Sequence, residues 1–323
     1  MGAERLCYNR TMDPIAVLFN PSSGRGKSRR RKNRIEARFG HFDIPARWFT
    51  SQSEDHLKEL ARSLAQDFST IAVVGGDTTF TLAATEIIQS VSDTTLGMVG
   101  TGSANDISRG LQADELDSIC AAFRSGRTRR MDAGNLRLPG RAEPVIFMGA
   151  MSLGLGVEVN LFIAGARRRH PILNRGGSTV QALTGALGVH RAFSSRAVPE
   201  RVCLEAGRLR KDVDFSLMVF ANTPFFANGL RLFPEATPFD GRLHCCTIRT
   251  RSLSHSLFLS RRIRNGSHVE QDEVEIFPDT VFRVQPARGT IAIQYDGEVM
   301  TGIEGFEVSV RPAALRVIDT TGE

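Results

Sequence analysis

The chain has 323 residues, of which 41% are hydrophobic and 24% are charged, a balance typical of a soluble globular protein. This length allows two modest domains or one large domain. The most apolar region, residues 145–165, is interrupted by polar residues and by four glycines, which excludes a membrane span. The N-terminus lacks the apolar core of a secretory signal, and the five cysteines form no CxxC pair. We therefore expect a cytoplasmic protein with reduced thiols.

The formal net charge is +6, and the basic residues cluster at 25–34, 124–130, 167–170 and 261–264. Such clusters fit a solvated surface, nucleic acid or the anionic face of a membrane. The chain has only two tyrosines and one tryptophan and no recognisable nucleic-acid-binding module, so we expect no nucleic-acid partner. An anionic bilayer remains a possible partner, and the sequence leaves a homodimer open.

The first predicted strand, residues 15–19, is followed by a loop of small polar residues and then by a basic helix at about 27–39. The loop closes with Gly26-Lys27-Ser28 like a P-loop, but Pro21 occupies the place of the first glycine that a P-loop requires. Asn20, Ser23 and Gly24 are compatible with a phosphate-facing loop of another geometry. They are equally compatible with an ordinary turn from strand to helix.

A second turn of this kind is more informative. The apolar run at residues 70–74 predicts a buried strand, which ends at Gly75-Gly76-Asp77 and leads into a helical pattern. Glycines allow close approach of the backbone, and the first N–H groups of a helix attract phosphate. An aspartate does not bind phosphate itself, so Asp77 would act on a metal or on a reacting hydroxyl. These residues predict a nucleotide-dependent phosphoryl transferase.

Strand and helix patterns alternate through the first part of the chain. Further strands are predicted at 46–50 and 96–99, the latter followed by a polar loop, Gly100–Asp106, and a helix at 114–123. This order predicts βαβ units around a parallel sheet, with ligands at the carboxyl ends of the strands.

The pattern changes after about residue 126, where short strands are separated by Gly, Pro and Asn and only one long helix, at 180–193, is expected. This pattern predicts an antiparallel sandwich or a barrel-like domain. We place the α/β domain at 14–128 and the β-rich domain at 129–323, and leave open whether the last strands pack back on the first domain. The strands are expected at 130–138, 145–153, 202–204, 215–221, 242–249, 273–276, 280–284, 291–295 and 306–310.

Five motifs occur in an order that resembles the lipid kinases, the family that includes bacterial diacylglycerol kinase and the sphingosine and ceramide kinases. They are Asn20–Gly24, Gly75–Thr79, Gly102–Asp106, Asn222–Gly241 and Asp296–Glu298. Each motif is weak alone, since Asp-Gly pairs also form ordinary turns. The resemblance covers about 14–318. It implies an α/β nucleotide-binding domain of the NAD kinase and diacylglycerol kinase type, followed by a β-rich antiparallel sandwich that helps to form the lipid site.

The resemblance also implies an activity, transfer of the ATP γ-phosphate onto a lipid hydroxyl with the help of Mg²⁺. Diacylglycerol, which would give phosphatidic acid, is the leading acceptor, and a sphingoid base or ceramide is the alternative. The protein would then be cytoplasmic and peripherally associated with an anionic bilayer. A non-catalytic homologue that binds nucleotide or lipid stays open, and a kinase of a soluble metabolite is less favoured.

The implied site residues fall into three groups. Glu298 would be the general base with Asp296 beside it, although Asp77 could take that role instead of contacting the nucleotide-bound metal. Asp240 would hold a structural magnesium together with backbone oxygens near Thr237 and Arg242. The nucleotide would contact a larger set of residues: Asn20, Ser23, Gly24, Thr50, Gly75, Gly76, Asp77, Thr78, Thr79, Ser103, Asn105 and Asp106. In this set, Asn105 and Asp106 would brace the loop that contains them.

Three positions depart from the family pattern. Thr78 stands where the family has glycine, Gly100 where it has proline, and Ser103 where it has threonine. If position 78 requires a positive φ or close phosphate approach, we expect Thr78 to cost about 1 kcal/mol or more. That cost would weaken ATP binding or mark a subgroup with altered nucleotide or acceptor use. In the second domain, a group of apolar residues is predicted either to line an acyl-chain pocket or simply to belong to the core. These residues are Phe225, Phe226, Leu230, Leu232 and Phe233.

Overall fold

A computed structural model describes residues 12–170, 178–194, 200–250, 252–296 and 298–321. The sequence of residues 1–13 predicts a disordered leader, and all but the last two of these positions lie outside the described residues. The first half alternates strands and helices, as its sequence pattern predicts. Its elements are β1 (Ile15–Phe19), α1 (Ser23–His41), β2 (Ala46–Thr50), α2 (Glu54–Asp67), β3 (Thr70–Gly75), α3 (Asp77–Gln89), β4 (Thr95–Gly100), α4 (Asp106–Gly110) and α5 (Leu116–Ser125).

The four strands of this half pair in parallel in the order β2-β1-β3-β4. All five residues of β1 and the last five of β3 are buried, which is why both strands read as unbroken apolar runs. The carboxyl ends align, because Phe19 pairs with Val74 and Gly75 with Gly100. The polar loops that follow β1, β3 and β4 therefore meet at one edge of the sheet.

Within the described residues, the second half is mostly antiparallel sheet, with three α-helices. Its elements are β5 (Thr128–Arg137), β6 (Val145–Phe147), β7 (Ala150–Gly154), α6 (Leu155–Arg169), α7 (Ser178–Ser194), β8 (Glu200–Ala206), β9 (Leu209–Phe215), β10 (Leu217–Ala221), β11 (Leu243–Ile248), α8 (Leu253–Asn265), a 3-10 turn (Ser267–Glu270), β12 (Val274–Asp279), β13 (Val281–Pro286), β14 (Ile291–Tyr295), β15 (Glu298–Ile303) and β16 (Phe306–Ile318).

Two sheets pack face to face in this half. One has the order β12-β11-β10-β7-β14-β15, and the other includes β5, β6, β16, β13, β8 and β9. The core between them is rich in aromatic side chains, such as Phe220 and Phe282, whose ring centroids lie 5.2 Å apart. The predicted fold class, an α/β half followed by an antiparallel sandwich, is confirmed.

The last strand connects the two halves. In β16, Val317 pairs in parallel with Leu96 of β4, while Val308 pairs in antiparallel fashion with Phe282 of β13. The parallel sheet of the first half thus continues into one sheet of the sandwich.

Two predicted strands are interrupted. The predicted strand 145–153 breaks after Phe147, because the Met148 N–H faces the Asp296 carboxylate and the Gly149 carbonyl accepts from the Asn222 N–H. The predicted strand 215–221 breaks at Ser216, whose N–H donates to the Ile248 carbonyl at 2.8 Å.

Two helices, α6 and α8, were not expected from the sequence. In α6 the apolar residues recur at Leu155, Val159 and Ile163, and in α8 at Leu259 and Ile263, which is helical spacing. Short apolar runs of this kind do not distinguish buried strand from helix without tertiary context. No helix within the described ranges has the length and apolar character needed to cross a bilayer.

Candidate active site

A polar cavity of about 570 Å³ lies at the carboxyl edge of the parallel sheet. The loops after β1, β3 and β4 and the start of α2 form its walls, as the alignment of strand ends predicts. Its lining residues are Asn20, Ser22, Ser23, Gly24, Ser51, Gln52, Ser53, Glu54, Leu57, Gly76, Asp77, Thr78, Thr79, Leu82, Gly102, Ser103 and Ala104.

The two glycine loops of this cavity touch each other through their backbones. A Cβ added to Gly102 would lie 2.6 Å from Cα of Gly76, a distance that no real side chain tolerates. The loop after β1 is tied to the same place, since Asn20 Nδ2 donates to Thr79 Oγ1 at 3.0 Å. Three separate segments therefore present small residues and N–H groups around one space, which suits a polyphosphate.

The carboxylate of Asp77 holds the adjacent loop. Its Oδ2 accepts from the Asp106 N–H at 3.1 Å and its Oδ1 from the Ile107 N–H at 3.0 Å, so it satisfies the first donors of α4. Burial raises the pKa of Asp77, and the nearby Asp106 carboxylate raises it further. Asp77 is thus engaged in positioning the Ser103–Asp106 loop beside the cavity.

Asp106 connects the two halves of the molecule. Its Oδ1 accepts from the Gly229 N–H at 2.6 Å and its Oδ2 from the Asn228 N–H at 3.1 Å, and Arg109 lies 3.3 Å from Oδ1. Burial raises the pKa of Asp106, whereas these donors favour its charged form. The carboxylate fixes the 222–234 segment against the nucleotide-facing loop.

Replacing Asp106 with alanine is expected to destabilise the protein by about 2–3 kcal/mol, because the Gly229 N–H loses its acceptor in a partly buried place. Urea denaturation followed by circular dichroism measures this change. Asp114→Ala, which removes an exposed carboxylate of the same half, serves as the control and should stay within about 0.5 kcal/mol of the parent. Equal stability of the two variants would contradict the bridging role of Asp106.

A second, apolar cavity of about 590 Å³ lies between the α/β half and the helices of the second half. Phe225, Phe226 and Leu230 line it, whereas Leu232 and Phe233 are buried in the core. Most of its wall comes from other elements, including Asp77, Thr78, Ala104, Asp106, Ile107, Gly149, Ala150, Leu155, Gly156, Val159, Asn160, Ile163, Val189, Leu217, Ile248, Thr250, Ser256, Leu259, Ser260, Ile263, Gln294 and Asp296.

The two cavities share the residues Asp77, Thr78 and Ala104. Thr78 lies in the first turn of α3 and has no positive φ, so the first condition for a cost at this position is not met. A cost from close phosphate approach to Thr78 stays a prediction. The Thr78 hydroxyl lies 3.5 Å from the Asp296 carbonyl oxygen. The Gly75–Thr79 turn and the Asp296–Glu298 motif therefore meet, although 218 positions separate these two residues in the chain.

Asp296 is the carboxylate best placed at this junction. It lines the apolar cavity, and its Oδ2 accepts from the Met148 N–H at 3.4 Å. Burial raises the pKa of Asp296 to about 7, and the neighbouring Asp77 contributes to the increase. A carboxylate with such a pKa can accept a proton near neutral pH.

Glu298 has a different environment. Its side chain is exposed, and its Oε2 accepts from the Tyr295 hydroxyl at 2.7 Å. Burial and this carboxylate raise the pKa of Tyr295 to about 12. Glu298 is not among the residues that line either cavity. Its predicted role as general base stays a prediction.

The other residues that were predicted to contact the nucleotide differ in their position relative to the polar cavity. Thr50 is exposed at the end of β2, and Ser51 and Ser53 line the cavity in its place. Gly75 lies behind the cavity, since a Cβ there would meet the Thr79 side chain at 2.5 Å. Asn105 adopts a left-handed conformation at the start of α4, with φ 55° and ψ 39°, and its bracing role stays a prediction.

Asp240 lines neither cavity. Its Oδ1 accepts from the Arg242 N–H at 2.9 Å, and its Oδ2 lies 3.0 Å from His244 Nε2. Burial raises the pKa of Asp240, but these contacts and the Thr237 N–H lower it by more, so the pKa lies below its ordinary value. With these donors around one carboxylate, the arrangement does not present a ready magnesium site, and the structural magnesium at Asp240, Thr237 and Arg242 stays a prediction.

A magnesium ion at the polar cavity would depend largely on the nucleotide. Across the described ranges, no group of three or more His, Cys, Asp or Glu side chains converges to hold a metal. Magnesium in phosphoryl transferases is commonly bound by substrate phosphates and one or two carboxylates. Asp77 and Glu54 are the carboxylates that line this cavity, so its composition fits an ion that arrives on ATP.

The residues that α6, α7 and α8 contribute to the apolar cavity were not expected from the sequence. The signal was present in the i, i+4 spacing of Val159 and Ile163 and of Leu259 and Ile263. No local signal identified Met148 as the partner of Asp296.

Comparisons with known proteins identify the families that the two halves match. Residues 14–136 match the family described as diacylglycerol kinase catalytic domain, and residues 179–319 match the YegS C-terminal NAD kinase beta sandwich-like domain. The chain is 24% identical over 312 residues to a diacylglycerol kinase of Mycobacterium tuberculosis, with 94% of each chain covered.

Solved structures show the same fold. A candidate diacylglycerol kinase from Bacillus anthracis str. Sterne matches with a TM-score of 0.73 at 14% identity, over 98% of both chains. A further diacylglycerol kinase structure from that organism matches with a TM-score of 0.67 at 11% identity, over 95% of this chain and 96% of the other. At these identities the likeness establishes the architecture.

Proposed function

We propose that this protein transfers the γ-phosphate of ATP to a lipid hydroxyl, since its residues 14–136 belong to the diacylglycerol kinase catalytic domain family. Diacylglycerol is the leading acceptor, and phosphatidic acid is then the product. A sphingoid base or ceramide is the alternative acceptor. A homologue that binds nucleotide or lipid without turnover is the alternative outside catalysis.

One observation carries this proposal, the shared edge between a polar and an apolar cavity. The polar cavity is lined by small residues and helix N-terminal N–H groups, which suit phosphates. The apolar cavity has the size of a small-molecule site and a mostly aliphatic and aromatic wall, which suits an acyl chain. A lipid whose hydroxyl reaches the edge at Thr78 would meet the terminal phosphate of a nucleotide there.

Phosphoryl transfer depends mainly on alignment and on neutralising charge. In this proposal the Gly76 and Gly102 loops hold the nucleotide phosphates, and the apolar cavity holds the lipid chain in line with them. Bound together with ATP, Mg²⁺ would supply neutralisation of the phosphate charge. The lipid oxygen forms a bond to Pγ, the bond from Pγ to the β,γ-bridging oxygen breaks, and ADP leaves with that electron pair.

We assign the general base to Asp296. The lipid hydroxyl transfers its proton to the Asp296 carboxylate as the new P–O bond forms. The position of Asp296 on the wall of the acceptor cavity and its raised pKa support this choice over the exposed Glu298. The hydrogen bonds of Asp77 to α4 favour a positioning role for that carboxylate.

Transfer of labelled γ-phosphate from ATP to a panel of diacylglycerol, ceramide and sphingoid base tests the proposal. We expect labelled phosphatidic acid as the main product, dependent on Mg²⁺. A labelled ceramide or sphingoid-base product would keep the lipid kinase assignment and change the acceptor. Tight ATP binding without any labelled lipid would overturn the enzyme assignment and favour the non-catalytic alternative.

A further inference from the structure

We propose that the outer faces of α6, α7 and α8 form a docking surface for an anionic lipid bilayer, directly above the apolar cavity. We call this the three-helix face and define it by Leu161, Leu183, Leu187, Leu257 and Phe258 and the arginines that follow them. The inference rests on the proposed function, since it assigns the place where the lipid substrate leaves the membrane.

Exposed apolar side chains concentrate on these helices. Of the eight large apolar side chains exposed among the described residues, five lie on α6, α7 and α8. Leu183 is 62% exposed and Leu187 is 51% exposed, although both belong to a long helix with a buried side. Scattered single exposures are common on soluble proteins, whereas a concentration on one group of packed helices indicates an interaction surface.

Each helix combines apolar and basic residues on one exposed side. In α7, Leu183, Leu187 and Arg191 follow one another at intervals of four residues, so they form one stripe. In α8, Leu257 is followed on the same side by Arg261 and Arg264, which are also exposed.

The same combination of apolar and basic residues occurs at two further places on this face. In α6, Leu161 and the exposed Arg168 are seven residues apart, two turns along the same side. The guanidinium of Arg262 lies 4.8 Å from the centroid of the Phe258 ring. Arginine with apolar or aromatic neighbours is typical of helices that lie in the headgroup region of a bilayer.

The charge of these helices matches an anionic surface. Their sequences contain seven arginines and one acidic residue, Glu158, which gives a formal charge of +6, equal to that of the whole chain. Neither α7 nor α8 contains an aspartate or glutamate. Basic residues near an anionic membrane are attracted to its surface, so this excess favours a charged bilayer over a neutral one.

The other sides of the same helices form the wall of the apolar cavity. Val159 and Ile163 of α6, Val189 of α7, and Leu259 and Ile263 of α8 all line it. Gly188 allows α7 to pack closely on α6, since a Cβ there would lie 3.2 Å from the Phe162 ring. A bilayer on the outer side would thus be separated from the lipid cavity by a single layer of helices.

Sedimentation with vesicles tests the docking surface. Wild-type protein should bind vesicles of phosphatidylcholine mixed with phosphatidylglycerol more tightly than phosphatidylcholine alone, and increasing salt should weaken binding. The double variant Arg261→Gln/Arg264→Gln should lose about 30-fold in affinity for the mixed vesicles. The double variant Leu183→Ser/Leu187→Ser should lose about 10-fold or more on both vesicle types.

The chain offers a matched control on the hairpin that joins β8 and β9. Arg208 and Leu209 are neighbouring exposed residues there, so Arg208→Gln/Leu209→Ser removes the same chemistry from another surface. This control should bind vesicles like the parent. Equal vesicle binding by all variants would overturn the docking surface. Loss of self-association instead of vesicle binding would also overturn it, because the face would then join two copies of the chain.

Two further readouts separate this inference from the proposed kinase activity. With a short-chain diacylglycerol present as monomers in solution, the face variants should turn over like the parent, which also shows that they are folded. With diacylglycerol embedded in mixed vesicles, their rates should fall in parallel with binding. A parent protein that binds vesicles but phosphorylates no lipid would remove the proposed function and leave the docking surface intact.

Discussion

Replacing Asp296 with asparagine is expected to lower the turnover of lipid phosphorylation by a factor of about 10²–10⁴. The amide keeps the size of the carboxylate but cannot accept the proton of the lipid hydroxyl. Turnover is measured with saturating ATP and lipid, and nucleotide affinity is measured separately by calorimetry. We expect that affinity to change little, because Asp296 lines the apolar cavity and is not among the residues lining the polar cavity.

The matched control is Glu298→Gln, two positions along the chain. Glu298 is exposed and bonds to Tyr295, so its replacement should change turnover by less than about threefold. The opposite ranking, with Glu298→Gln inactive and Asp296→Asn active, would return the base to Glu298 and refute our assignment.

The pKa of Asp296 also predicts how activity and stability depend on pH. Because only the deprotonated carboxylate acts as a base, turnover should rise with pH and level off above its pKa of about 7. Between about pH 4 and 7 the unfolded chain releases this proton while the native state keeps it, so the contribution to stability falls as pH rises.

A stability measurement therefore distinguishes a catalytic loss from a folding defect. At pH 8, Asp296→Asn should raise the free energy of unfolding by about 1–2 kcal/mol, because it removes a poorly solvated charge next to Asp77. At pH 4 the two proteins should be nearly equal. An inactive variant that is also less stable at pH 8 would point to a structural role for Asp296.

Replacing Gly102 with alanine is expected to weaken ATP binding by about tenfold or more, the equivalent of about 1.4 kcal/mol. The added methyl group would lie 2.6 Å from Cα of Gly76, and both partners are backbone, so one loop has to move. Either movement changes the space in which we place the phosphates. Calorimetric titration with a non-hydrolysable ATP analogue measures the loss.

Gly40→Ala is the control for this substitution. Gly40 lies in the last turns of α1, and a Cβ there meets nothing within 4 Å. This variant should bind the analogue like the parent, with stability unchanged or slightly increased, because alanine favours helix over glycine. Unchanged binding by Gly102→Ala would show that the phosphates do not lie against the contact between these two loops.

The polar half of the site follows from the sequence alone. Parallel strands read as apolar runs because both of their faces are buried, and their carboxyl ends share one edge. The loops at Asn20–Gly24, Gly75–Thr79 and Gly102–Asp106 therefore had to meet. The small residues in these loops predicted a phosphate site, and the order of the motifs predicted the family.

The acceptor side depended on the tertiary structure. The α6 and α8 segments are apolar runs whose local pattern does not decide between strand and helix, so neither their part of the cavity wall nor the three-helix face was expected. Only Phe225, Phe226 and Leu230 of that wall were predicted for an acyl-chain pocket. The sequence likewise did not predict the environment of each carboxylate. The Asp296 carboxylate faces Met148 and Asp77, which are distant in the chain, whereas Glu298 faces solvent and Tyr295. Burial and distant neighbours set a pKa, and only the folded chain brings those neighbours together.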